Sequence, residues 1–149
     1  MPRRSPARVR ALQRPRPRKW RLYQPPRLPG GSAALAAAVR RLEHEDPLFE
    51  HCSVAAALQL WRHRATGPAR LLTAPDFQCE CGCLGPPPRE LLEITMHRLP
   101  RRTARELREM VEVIDQRYRA RTFPNPTAPP GPWWRRRCFT GSIQVPSMA

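Results

Sequence analysis

The chain has 149 residues, with 27 basic and 12 acidic side chains, a formal charge of +15, 20 Pro and 7% aromatics. These figures exclude a large multidomain enzyme, a collagen-like repeat and an acidic solvating protein. That much Pro, concentrated towards the ends, also speaks against regular structure along the whole length.

The basicity is uneven. Residues 1–31 hold nine Arg, one Lys and no acid, giving +10; residues 32–123 hold 14 Arg and 12 acids, giving +2; residues 124–149 hold three Arg and no acid, giving +3. Three units are therefore expected: a disordered Pro/Arg arm (1–31), a nearly neutral helical domain (32–123) and a disordered Pro/Trp/Arg tail (124–149). In the arm, Pro15, Pro17, Pro25, Pro26 and Pro29 block helix continuation. Such an arm binds phosphate without sequence preference and with steep salt sensitivity, and Trp20 and Tyr23 are able to stack on bases. An anionic membrane surface, or plain solvation, fits the same composition. A GC-rich gene gives an Arg excess with no partner at all. Gly30 and Gly31 read as a flexible joint.

Arg3 and Arg4 are not followed by the apolar stretch of an export signal. The longest apolar run, Ala33 to Val39, is far below the roughly 20 residues that span a bilayer. Five Cys, an odd number, do not suggest a secreted disulfide framework. The expectation is a cytoplasmic protein without a membrane span.

The first helix is expected from Ser32, as N-cap, to Glu43, with Leu35, Val39 and Leu42 on one stripe. Asp46 and Pro47 mark the start of a second, which runs through Leu48, Cys52, Ala55, Leu58, Trp61 and Ala65 to a stop at Gly67–Pro68. The Trp61 indole N–H requires one buried partner. Residues 68–88 form a long connection containing Leu71, Leu72 and Phe77. A third helix spans Pro88 to Leu99, with Leu91, Leu92, Thr95 and Leu99 facing inward, and Pro100 ends it. Thr103 and Glu106 have the spacing of a capping box for a fourth helix that reaches Arg121. Its seam of Ala104, Leu107, Val111, Ile114 and Tyr118 suits an antiparallel partner or a homodimer contact, and Asp115 and Arg119 are spaced for an ion pair. The fold class is thus all-α, a small three- to four-helix bundle.

Cys79, Cys81 and Cys83 lie within five residues, in the string QCECGC. Reduced thiols at this density are soft ligands that suit Zn(II) or Cu(I); tetrahedral Zn takes four ligands, and His51, Cys52 or His97 would complete the set. A strained near-neighbour disulfide, or thiols that only stiffen a loop, are the competing readings.

No GxxxxGK[ST], GxSxG, HExxH or GxGxxG string occurs, and Asp76 and Glu80 have no evident acid–base partner, so the chain is not expected to be an enzyme. The leading expectation is a non-catalytic binding or accessory module. It would engage a protein partner or a second copy through Leu107, Val111, Ile114 and Tyr118 or through Trp133 and Trp134, although a tail that packs this Trp pair back on the core is expected equally. The alternative is a nucleic-acid binder that uses its basic tails or a helix-turn-helix over residues 88–121, with Arg101, Arg102, Arg105 and Arg108 at phosphate. Glu106, Glu109 and Glu112 on the same helix oppose that alternative by repulsion.

Overall fold

The computed structural model describes residues 28–50, 52–73 and 85–139. The arm before Leu28, His51, the 74–84 segment with Phe77 and the thiol string, and residues after Phe139 lie outside them.

Among the described residues the protein is all-α, with one two-residue antiparallel pair. Helix α1 (Ala33–Glu45) is followed by a 3-10 turn (Pro47–Phe49), α2 (Val54–Thr66), the short α3 (Ala69–Thr73), α4 (Pro88–Arg98) and α5 (Arg101–Ala120). Strands β1 (Phe123–Pro124) and β2 (Arg137–Cys138) follow, with a second 3-10 turn (Trp133–Arg135) between them.

The N-cap expectation for α1 holds: Ser32 Oγ accepts from the Leu35 N–H at 3.1 Å. The chain enters through a tight turn rather than a flexible joint. The Gly31 N–H donates to Leu28 O, and Gly30 takes φ +83° after Pro29, the Pro–Gly pairing of a type II turn. A Cβ on Gly31 would meet the Leu35 side chain at 3.2 Å.

The second helix departs from expectation. Asp46 does cap, accepting from the Leu48 N–H at 2.9 Å, but what it starts is the 3-10 turn that buries Phe49. Helix α2 begins afresh at Ser53, whose Oγ accepts from the Ala56 N–H at 3.1 Å, while Glu43 of α1 accepts from the Val54 N–H at 2.8 Å. A cap marks a start and carries no information on length. Here a second cap plus a borrowed carboxylate satisfies the new start. Helix α2 ends at Gly67, where a Cβ would lie 2.5 Å from the His63 carbonyl oxygen. Helix α3 then turns Leu72 into the core.

Helices α4 and α5 are joined only by Leu99 and Pro100. The inward face of α4 is as expected, with Leu91, Leu92, Thr95 and Leu99 buried, and Arg89 and Met96 are buried beside them. Helix α5 starts at Arg101, two residues before the expected capping box, because Pro100 already sets the helix entry. Thr103 lies inside the first turn and donates to Pro100 O at 3.0 Å. Glu106 turns away from Thr103 altogether.

The seam of α5 is closed within the chain. Ala104, Leu107, Val111, Ile114 and Tyr118 are buried against Leu35, Leu58, Trp61, Leu91 and Leu92, in one continuous core drawn from all the helices. With Leu107 at 0% and Tyr118 at 3% exposure, this seam is not a surface open to a second copy.

Residues 124–139 also differ from the expected disordered tail. They return across the bundle, pairing Phe123 with Cys138 and Pro124 with Arg137, and they set Trp133, Trp134 and Phe139 against the core. Pro124 sits in an edge pairing, where a missing N–H is tolerated.

Candidate functional site

The most densely bonded polar group is interior. The Trp61 indole N–H finds its partner in Asp115 Oδ1 at 2.8 Å. Arg89 donates to both oxygens of the same carboxylate, from Nε at 3.1 and 3.2 Å and from a terminal nitrogen at 3.0 Å, and its other terminal nitrogen reaches Glu93 at 2.8 Å. Asp115 is therefore not the i, i+4 partner of Arg119, as its spacing suggested, because it points into the core. Arg119 instead pairs with Glu112 at 2.8 Å.

The C-terminal segment clamps onto this cluster. The Arg89 guanidinium lies 4.2 Å from the Trp134 ring centre, and that of Arg119 lies 3.9 Å from Trp133. Trp133 also stands 6.4 Å from Tyr118, itself 4.6 Å from Trp61. Arg135 pairs with Glu90, and Arg137 donates to Thr122 and to the Arg119 carbonyl near the end of α5. Trp133 and Trp134 are thus half-buried against their own chain, the second of the two placements the sequence allowed them. The carboxylate and guanidinium of the cluster are committed to each other and the rings cover them, while the Trp134 indole N–H is buried without an acceptor among the described residues.

The second polar feature is at the opposite end of α5. The Glu106 carboxylate accepts from the Ser32 N–H and, at 2.7 Å, from Ser32 Oγ. A capping box is thereby assembled across the fold: the residue three beyond Ser32 is Leu35, which has no carboxylate, and α5 supplies one. These bonds, with help from Arg102, hold the Glu106 pKa below its ordinary value. The Glu43 carboxyl at the start of α2 is pushed up instead, because burial outweighs its bond to Val54.

The four arginines of the helix-turn-helix alternative, Arg101, Arg102, Arg105 and Arg108, all lie exposed on the first half of α5. Arg105 pairs with Glu109 at 3.1 Å, both widely exposed. Among the described residues Arg101 and Arg108 make no ion pair. Of the acids expected to repel phosphate, Glu109 pairs with Arg105 and Glu112 with Arg119, whereas Glu106 bonds the uncharged Ser32 and keeps its negative charge.

Of the expected metal ligands, Cys79, Cys81, Cys83 and His51 lie outside the described residues. Cys52 is half-buried, its thiol directed at Ser53 O, and burial with the nearby Glu43 charge pushes its pKa up. His97 is 73% exposed and lies 3.2 Å from Glu93. No group of three or more His, Cys, Asp or Glu suited to a metal is found among the described residues, nor is any of their helices long and apolar enough to cross a membrane.

Sequence reasoning missed Arg89 and the inward role of Asp115, and it gave Ser32 its N-cap role but not its bonds to Glu106. Trp61 gave the one available signal, an indole N–H in need of a buried acceptor. No protein family, curated protein or solved structure matches the chain.

Proposed function

We propose that the protein is a non-catalytic binding module whose helical core mounts a cationic arm. The observation that carries this reading is the commitment of these ionisable side chains to the fold itself: Arg89 to Asp115 and Glu93, Glu106 to Ser32, and Glu43 to the backbone at the start of α2. These groups hold the fold, which leaves recognition to the periphery.

Two partner classes compete. A protein partner or homodimer needs the α5 seam or the Trp pair, and both are occupied by the chain itself. A polyanion needs the arm and the arginines between Arg101 and Arg108, and those cations of α5 face outward. We therefore favour sequence-neutral binding of nucleic acid through its phosphates. The odd Cys count, with three thiols crowded together, favours a reducing, cytoplasmic setting.

The test is anisotropy of a labelled single-stranded oligonucleotide of about 20 nucleotides, titrated with the full chain between about 50 and 200 mM salt. Saturable binding, with an affinity that falls steeply as salt rises and does not depend on base sequence, is expected. No binding at the lowest salt would overturn the reading. The zinc expectation at Cys79, Cys81 and Cys83 is checked separately by metal analysis: one Zn per reduced chain supports it, and none removes it.

A further inference from the structure

We propose that residues 133–139 are an exchangeable segment, and that two copies of the chain pair by each laying this segment on the α4–α5 surface of the other. The Trp pair is occupied by its own chain, which disfavours a side-by-side dimer. Exchange keeps that occupation and changes only which copy supplies it. The proposal does not depend on the nucleic-acid reading.

Three observations carry it. First, the segment packs on the outside of a core that the helices complete. No residue from Phe123 to Phe139 is buried to the degree of that core, and Trp133, Trp134 and Phe139 rest against it from outside. The seat beneath them is nonetheless specific. Arg119 and Arg89 meet the rings of Trp133 and Trp134, Tyr118 stands beside Trp133, and Glu90 pairs with Arg135. Such a seat takes two adjacent aromatic residues followed by a cation. A second copy carries that string, WWRRR, by necessity. Second, the closed segment is held less firmly than its ring contacts suggest, because the Trp134 indole N–H is desolvated there without gaining an acceptor among the described residues.

Third, the connection favours extension. Residues 124–132, PNPTAPPGP, contain five Pro, which favour an extended backbone of about 3.1 Å per residue. In the closed chain this stretch is bent back so that Phe123 pairs with Cys138. The bend is held by Asn125, whose side-chain oxygen accepts from the Thr127 N–H at 3.1 Å and from its hydroxyl at 2.8 Å. Opened at that turn, the nine residues reach about 28 Å, close to the length of α5 and enough to cross to a neighbouring bundle. The seat offers the same contacts on either bundle, so exchange relaxes the bend without giving up the rings or the ion pair.

The experiment uses two full-length variants, Glu90→Arg and Arg135→Glu. Both side chains reach solvent, so each variant should keep wild-type helicity. Each variant alone sets like charges against each other, whether the segment lies on its own bundle or on that of an identical copy. In an equal mixture, only an exchanged heterodimer restores opposite charges at both seats. Native mass spectrometry separates the two chains by mass and should show the heterodimer in about tenfold excess over either homodimer. Sedimentation velocity should show the same mixture shifting from monomer to dimer as concentration rises. Adding Trp133→Ala and Trp134→Ala to both chains should abolish the heterodimer. Glu90→Arg and Arg135→Glu combined in one chain should restore the wild-type balance of monomer and dimer. A mixture that stays monomeric, or whose heterodimer is no more abundant than random pairing gives, overturns the inference. So does a heterodimer that survives the loss of both Trp, since it is then held elsewhere.

Discussion

Asp115 decides the interior. Its carboxylate is shared between an indole N–H and a guanidinium, all three buried. Removing one side of such a pair strands the other charge in the core. Asp115→Ala should therefore cost about 3–5 kcal/mol in urea unfolding. Replacing both partners by apolar residues of similar volume, Arg89→Met with Asp115→Leu, should recover only part of that loss: a buried pair often only breaks even against good packing, but the buried Trp61 indole N–H is left without its acceptor, at about 1–3 kcal/mol. Two glutamates make opposite statements about pH. Glu106 has its pKa depressed by its bonds to Ser32, so its stabilisation is present above the ordinary carboxylate value of 4.5 and is lost as pH falls below it. Glu43 has its pKa raised by burial, so it costs stability as pH rises through 4.5 and beyond. Glu106→Gln should flatten the acid limb of a stability–pH profile. Glu43→Gln, which keeps an oxygen for the Val54 N–H, should match wild type at acid pH, below the ordinary carboxylate range, and exceed it at neutral pH.

At the scale of elements, polar side chains concentrate at helix starts. Ser53→Ala removes the hydroxyl that caps α2 and should cost about 1 kcal/mol. Thr103→Ala removes a bond to Pro100 O rather than a cap, so it should leave the pH response assigned to Glu106 unchanged; a capping box would have coupled the two. Trp133→Ala should cost about 2 kcal/mol by exposing the aromatic contact with Tyr118. Chemical unfolding followed by circular dichroism checks each of these. The pattern of successes has a physical cause. Helices α1, α4 and α5 are legible because apolar periodicity and Pro punctuation are local signals. The break between the 3-10 turn and α2 is not, because its decisive ligand is Glu43, on another helix. The same holds for Glu106: its spacing from Thr103 is right for a capping box, but the donors it satisfies belong to Ser32, 74 residues away. The ordering of residues 124–139 is hidden too, because a Pro-rich string gains its conformation from Arg89, Arg119 and Tyr118, which it meets only once the bundle exists.

For the whole molecule, the described helices use many of their ions for construction, whereas the sequence carries +10 in residues 1–31 and +3 in residues 124–149, and Arg101, Arg102, Arg105 and Arg108 lie exposed on α5. On this account, interior and binding surface are separable: changing the buried pair alters stability and leaves recognition untouched. The most direct test is the oligonucleotide affinity of the full chain carrying Arg89→Met and Asp115→Leu, measured beside wild type at one salt concentration with helicity verified. An affinity within about twofold of wild type is predicted, corresponding to roughly 0.4 kcal/mol. A loss of more than about tenfold, roughly 1.4 kcal/mol, in a variant that remains fully helical would put the buried pair in the binding site and contradict the account.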